Sequence, residues 1–344
     1  MANLKEIRNR IGTVKSTRKI TSAMSRIAAA RLRRAQTAME NARQYGTRMA
    51  SIVSEILREL DAQYGDLGEL HPLLRDDGVS DRVKAVDTNL ETFKAEREPG
   101  AVAFIVVSAD RGLCGGFNSG VNRVVERSIK DLREQGREVV VITVGRKGRD
   151  YLKSYKQGFL AHHVAPSKPE EVVDVAKLVA VEAMALFEGK WSEDTDGDGK
   201  NDTMSSLKVD EVRLVFNYFK NVITQEVHNE RLLPVPVPAP VDADGDGVPD
   251  PARDAVAHAV RAFEPDSTQL LGFLLPVAVE TAIQQALYNS VASEVAARRS
   301  AMDSATDNAT ELIGELTLQY NRERQAAITK ELMEIIGGAE ALKG

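Results

Sequence analysis

Apolar and small residues recur at alternating four- and three-residue steps through the opening of the chain. The run is Ile7, Ile11, Val14, Arg18, Thr21, Ser25, Ala28, Leu32, Ala35, Met39, Ala42, Gly46, Met49, Val53, Ile56 and Leu60. That period predicts one long helix with a coiled-coil seam. A helix over residues 4–60 would be about 85 Å long at the α-helical rise. Its small residues, Ala28, Ala35, Ala42 and Gly46, would let a second helix approach closely. The other end of the chain carries the matching stripe. From Val291 it reads Val295, Arg298, Met302, Ala305, Ala309, Leu312 and Leu316, then less regularly Tyr320, Ile328, Leu332 and Ile335. Neither stripe is stable in water by itself, so the two ends are expected to pair as an antiparallel coiled coil.

Proline separates these ends from the middle. All 12 prolines lie between Pro72 and Pro276, and proline breaks helix interiors. The middle reads as α/β. Val102–Val107 and Glu138–Val144 are apolar runs of strand length, Asn118–Gln135 and Val172–Phe187 are helical, and Val212–Phe219 is another strand. This alternation predicts a small, Rossmann-like, largely parallel sheet with helices packed on it. The expected organisation is therefore an N-terminal coiled-coil helix over 1–60 and an irregular connection over 61–98. An α/β domain over 99–275 follows, with acidic loops at 193–203 and 242–254, and then a C-terminal coiled-coil helix over 276–344.

Charge adds an asymmetry to this picture. The first 50 residues hold 12 Lys/Arg against 2 Asp/Glu, a net of +10, on a chain whose overall net is −6. A basic rod on an acidic body suits an acidic partner surface. Its unbroken apolar pattern argues against a transit peptide, and no signal peptide is expected. No stretch reads as a membrane span. The single cysteine, Cys114, excludes an internal disulfide within the chain.

Local motifs give little support to catalysis. The turn Ser108–Asn118 follows a strand and opens a helix, where a phosphate loop would sit, but its spacing is G-x-x-G-G and no Walker lysine follows. A tight turn that needs glycine accounts for it. Cys114 has no nearby His or Cys partner in sequence, and His162 and His163 are adjacent, without metal-ligand spacing. Two segments are more specific. Asp194, Asp196, Asp198 and Asp202, and again Asp242, Asp244, Asp246 and Asp250, fall in the pattern D-x-D-G-D-G-x-x-D. That places carboxylates at positions 1, 3, 5 and 9 of an EF-hand-like loop, with Ser205 and Arg253 where the bidentate Glu would stand. They are expected to hold calcium or magnesium weakly; the alternative is a soluble acidic insertion.

Several stretches together resemble the gamma subunits of F-type ATP synthases. They are Arg10-Ile11, Thr17–Met24 and Ala28-Ala29 near the start, and Ser108–Asn118 in the middle. Later come Ser293-Glu294, Ala297-Arg298, Ala301-Met302, Ala305–Ala309, Tyr320-Asn321 and Arg324–Glu331. Leu232–Pro234 and Glu264-Pro265 fit as well. Residues 76–98 and the two aspartate-rich loops depart from the pattern as insertions. The resemblance implies a non-catalytic rotor shaft, coupling c-ring rotation to conformational change at the nucleotide sites of the beta subunits. Implied partners are three alpha and three beta subunits, epsilon and the membrane c-ring, with no nucleic acid and membrane association only through partners. Implied contacts to the catalytic ring are Met24, Arg298, Arg324, Gln325, Thr329 and Glu331. No cofactor is required, and the implied location is the cytoplasmic face of a bacterial membrane, as a peripheral subunit. Two other classes compete from the residues alone. One is a nucleotide-binding α/β protein using the Gly-rich turn; the other is a calcium-responsive coiled-coil adaptor using the acidic loops.

Overall fold

The computed structural model describes residues 2–64, 67–75, 100–153, 158–193, 203–204, 209–236 and 266–341. Two helices dominate it. α1 (Ala2–Tyr64) runs for 63 residues. Its composition of Ala, Arg, Leu, Met and Lys is strongly helix-forming. The last helix, which we call α5 (Ser267–Ala341), runs for 75 residues. It begins before the expected boundary and takes Pro276 into its interior. An interior proline removes one helical hydrogen bond. Burial offsets this, because Leu271, Leu275 and Val279 on the flanking turns are at most 2% exposed.

Between them the chain alternates β1 (Ala101–Val107), α2 (Phe117–Glu134), β2 (Val139–Val144), α3 (Arg146–Lys153), β3 (Gly158–His163) and α4 (Val172–Glu188). A short antiparallel pair of two-residue strands, β4 (Ser192–Glu193) and β5 (Thr203–Met204), precedes β6 (Val209–Phe219) and β7 (Gln225–Leu233). The main sheet has the order β3-β2-β1-β6-β7. All its pairings are parallel except β6 with β7. This is the expected α/β class with long terminal helices.

The chain divides into two compact units. The first comprises Met1–Arg33, Leu113–Gly115 and Val295–Gly344; the second comprises Arg34–Gly112 and Gly116–Glu294. In the second unit, β1 is central and buried at every residue, which explains why it reads as an unbroken apolar run. Val102, Phe104 and Val106 on one face pack with Val121, Val125 and Ile129 of α2 and Leu152 of α3. The entry to β1 is tied by charge. Arg137 donates to the Gly100 carbonyl at 3.0 Å and pairs with Glu211 at 3.2 Å, while Arg213 holds the other Glu211 oxygen at 2.6 Å. Two charges on one half-buried carboxylate satisfy it far better than water-exposed pairs would.

One window of α5 is apolar enough to cross a membrane by length and composition, with mean hydropathy 1.5. This departs from the expectation that no stretch qualifies. Within the helix, Leu275, Val279, Ile283 and Leu287 are buried at 2% exposure or less, so this part of α5 serves as a core helix of the second unit.

In the first unit, α1 and α5 run antiparallel. Thr21 meets Thr306 and Ser25 meets Asp303, so a step forward on one helix is a step back on the other. Ile7, Ala28 and Leu32 of α1 and Met302, Ala309 and Leu316 of α5 are buried. These are seam positions, and the heptad pattern placed them correctly.

Candidate functional site

Ligands of open α/β sheets bind beyond the carboxyl ends of the strands, where neighbouring connections diverge. Here that position lies after β1. It is filled by the chain's own side chains: Phe117 and Pro166 with Leu287, Ser290, Val291 and Glu294 of α5 leave a cavity of only about 10 Å³. Small-molecule sites usually occupy several hundred. The polar groups there are also spent internally. Ser108 Oγ donates toward the carbonyls of Val144 and Gly145 and accepts from Gly148 N at 2.9 Å. Asp110 Oδ1 accepts from the backbone nitrogens of Arg146 and Ala165, and Asn118 Oδ1 accepts from Ala109 N. The Gly-rich turn is therefore a structural corner. Gly115 has φ 54°, and Leu113 adopts φ 63° beside it.

The adjacent histidines are used in the same structural way. His162 Nδ1 lies 3.0 Å from Thr143 Oγ1, and burial together with the Arg149 charge lowers its pKa. His163 Nε2 lies 2.7 Å from Glu182. Among the described residues no group of three or more His, Cys, Asp or Glu could hold a metal. Asp194, Asp196, Asp198, Asp202, Asp242, Asp244, Asp246 and Asp250 lie outside the described residues.

The first unit offers a different kind of surface. Carried to Ala2, the antiparallel register set by Thr21–Thr306 and Ser25–Asp303 ends near Gln325. Beyond it α5 continues for about four turns with no α1 opposite. Apolar side chains stand bare there: Ile328 and Leu332 at 56%, Met333 at 64% and Ile335 at 70% exposure. This accounts for the looser pattern at Ile328, Leu332 and Ile335: those residues lie beyond the end of α1.

The expected contact residues divide accordingly. Arg324, Gln325, Thr329 and Glu331 are all exposed. At helical spacing they interleave with Ile328, Leu332 and Ile335, making a mixed polar and apolar surface. Met24 and Arg298 sit elsewhere, half-buried within the paired part of the helices. The structure does not bring these two together with the other four.

Sequence reasoning missed Ile20 and Ile27 on α1, exposed at 59% and 55%, and Leu113 at 64%. The first two were detectable as apolar residues one heptad apart off the seam. Around them Lys15, Lys19, Arg26 and Arg31 are exposed, so the helix presents two apolar side chains in a basic field.

Comparison with known proteins agrees with this architecture. A family model described as ATP synthase matches residues 3–342. The chain is 40% identical over 343 residues to the ATP synthase gamma chain of Phenylobacterium zucineum, covering 99% of this chain and 100% of that one. It is 38% identical over 345 residues to that of Trichlorobacter lovleyi, covering 100% of both. Among solved structures, a chain from the Euglena gracilis mitochondrial ATP synthase, an assembly of OSCP, F1 and c-ring, superposes with TM-score 0.60 at 16% identity, covering 99% of this chain and 95% of that one. A chain of the Euglena gracilis rotor superposes with TM-score 0.54 at 14% identity, covering 95% and 99%.

Proposed function

Because the chain belongs to the ATP synthase gamma chain family, we propose that it is the central rotor shaft of an F-type ATP synthase. The observation that carries this reading is the end of α5. Four turns of helix with bare apolar residues cost free energy in water, and a surrounding sleeve of alpha and beta subunits would cover them. The basic face of α1 suits acidic surfaces on the same ring.

The mechanism follows from asymmetry. A shaft built from one helix pair and one overhanging helix presents a different side to each of three catalytic subunits. Turning it by the c-ring changes which beta subunit is held open, so the shaft biases conformational equilibria like a movable ligand. The chain itself carries no chemistry in this reading. Support comes from the filled crevice after β1, which leaves a nucleotide no room. The α/β unit would meet epsilon and the c-ring. The chain would then sit at the cytoplasmic face of a bacterial membrane, reaching the membrane through its partners.

The test is an Arg324→Ala/Gln325→Ala double variant in the assembled complex. Both residues are exposed where the paired stretch ends, so the chain should fold and assemble while ATP synthesis falls several-fold. Synthesis at the unaltered rate would remove the torque role. Purification should recover alpha and beta in three copies each per copy of this chain; recovery of the chain without them would remove the shaft reading itself.

A further inference from the structure

We infer that Thr21, Ser25, Asp303 and Thr306 form a polar clasp that fixes the axial register of α1 against α5. The two α1 hydroxyls occupy consecutive seam positions and are each only 8% exposed. Along the same seam Ile7, Ala28 and Leu32 are buried, as are Met302 and Ala309 opposite. Small and apolar residues of this kind pack acceptably at several offsets. A directional hydrogen bond does not, which is the best-attested use of polar residues at coiled-coil core positions.

Thr306 Oγ1 reaches the Met302 carbonyl at 2.8 Å. Thr21 Oγ1 and Thr306 Oγ1 lie 2.7 Å apart and share one hydrogen bond in which either hydroxyl can donate. Ser25 Oγ donates to Asp303 Oδ1 at 2.5 Å. The other Asp303 oxygen lies 3.8 Å from Arg299 Nε, one turn back on the same helix. Asp303 thus reaches from the half-exposed rim into the seam, held on its outer side by a cation. Thr21 has a second acceptor in the Arg18 carbonyl at 3.1 Å, so it can survive a slip. Ser25 and Asp303 would lose a charge-assisted bond outright, and that pair is the stronger half of the clasp. In a coiled coil, twist and axial sliding are coupled through the supercoil. A clasp that blocks sliding makes the two helices turn as one body.

This inference concerns the helix pair alone and stands whether or not the shaft reading holds. Its test uses the full-length chain with Cys114→Ala and spin labels at Lys15→Cys and Glu311→Cys, both exposed. Double electron–electron resonance should give one narrow distance. In a Thr21→Val/Ser25→Val/Asp303→Leu/Thr306→Val background the chain should melt at the same or a higher temperature, yet the distance distribution should split or broaden at least twofold. The milder Ser25→Ala should broaden it less. The exchange Ser25→Asp/Asp303→Ser, which keeps the hydrogen bond, should restore a single distance. An unchanged narrow distance in both the apolar background and Ser25→Ala overturns the clasp, as does an exchange variant as broad as the apolar one.

Discussion

Gly145 shows how tightly single residues are specified at the corner after β2. Its φ is 105°, and a Cβ there would overlap the backbone oxygen of Ser108. Its own N–H donates to the His163 carbonyl at 2.8 Å, so the backbone cannot move away without loss. Gly145→Ala should therefore destabilise the chain by roughly 2–3 kcal/mol, combining strain at positive φ with a backbone clash, as denaturant unfolding would measure. His162 supplies a pH dependence at the same corner. Its pKa is lowered, chiefly because burial disfavours the charged ring. Above the ordinary value of 6.5 both folded and unfolded states are neutral and the residue adds no slope. As pH falls below that value, the unfolded chain takes up a proton that the fold resists, so stability drops until the folded-state pKa is also passed. His162→Gln should flatten the stability profile on the acid side of 6.5, and an unchanged slope would assign that loss to other groups.

At the scale of elements, the strongest periodic signals gave the right structures. The seam of α1 and the apolar run of β1 are examples, because each repeats over many residues and faces one kind of surroundings. The elements missed were α3, β3, β7 and the short strands β4 and β5. α3 is eight residues of mostly charged sequence with only Gly148 and Leu152 buried. β7 is an edge strand whose exposed residues blur the alternation. Pro276 misled in another way, since local propensity forbids what core burial permits. A proline in a helix interior is about 3 kcal/mol worse than alanine, offset by up to about 1 kcal/mol through restriction of the unfolded chain. Pro276→Ala should stabilise by about 2–3 kcal/mol, visible as a raised thermal midpoint. No gain would mean that α5 has already relaxed around the ring.

At the scale of the whole molecule, the overhang of α5 separates stability from assembly. Among the described residues nothing buries Ile328 or Leu332. Ile328→Asp/Leu332→Asp should change the folding free energy of the isolated chain by no more than about 0.5 kcal/mol, the usual range for surface sites. The same variant should assemble poorly with alpha and beta subunits, since charged side chains would replace apolar ones beneath the sleeve. A large loss of intrinsic stability would instead mean that the overhang is packed in the free chain.

The sequence by itself determined the helix pair, the largely parallel sheet and the family, because periodicity and motif order are written along the chain. It also carried the basic face of α1, which is a matter of composition. Only the tertiary structure decided where the seam stops being covered, since that depends on which residue of α5 lies opposite Ala2. Likewise Ser108–Asn118 has the local form of a phosphate loop, and only packing shows that α5 fills the space a ligand would need. Local sequence sets what a segment can be; the register between distant segments sets what remains exposed to act.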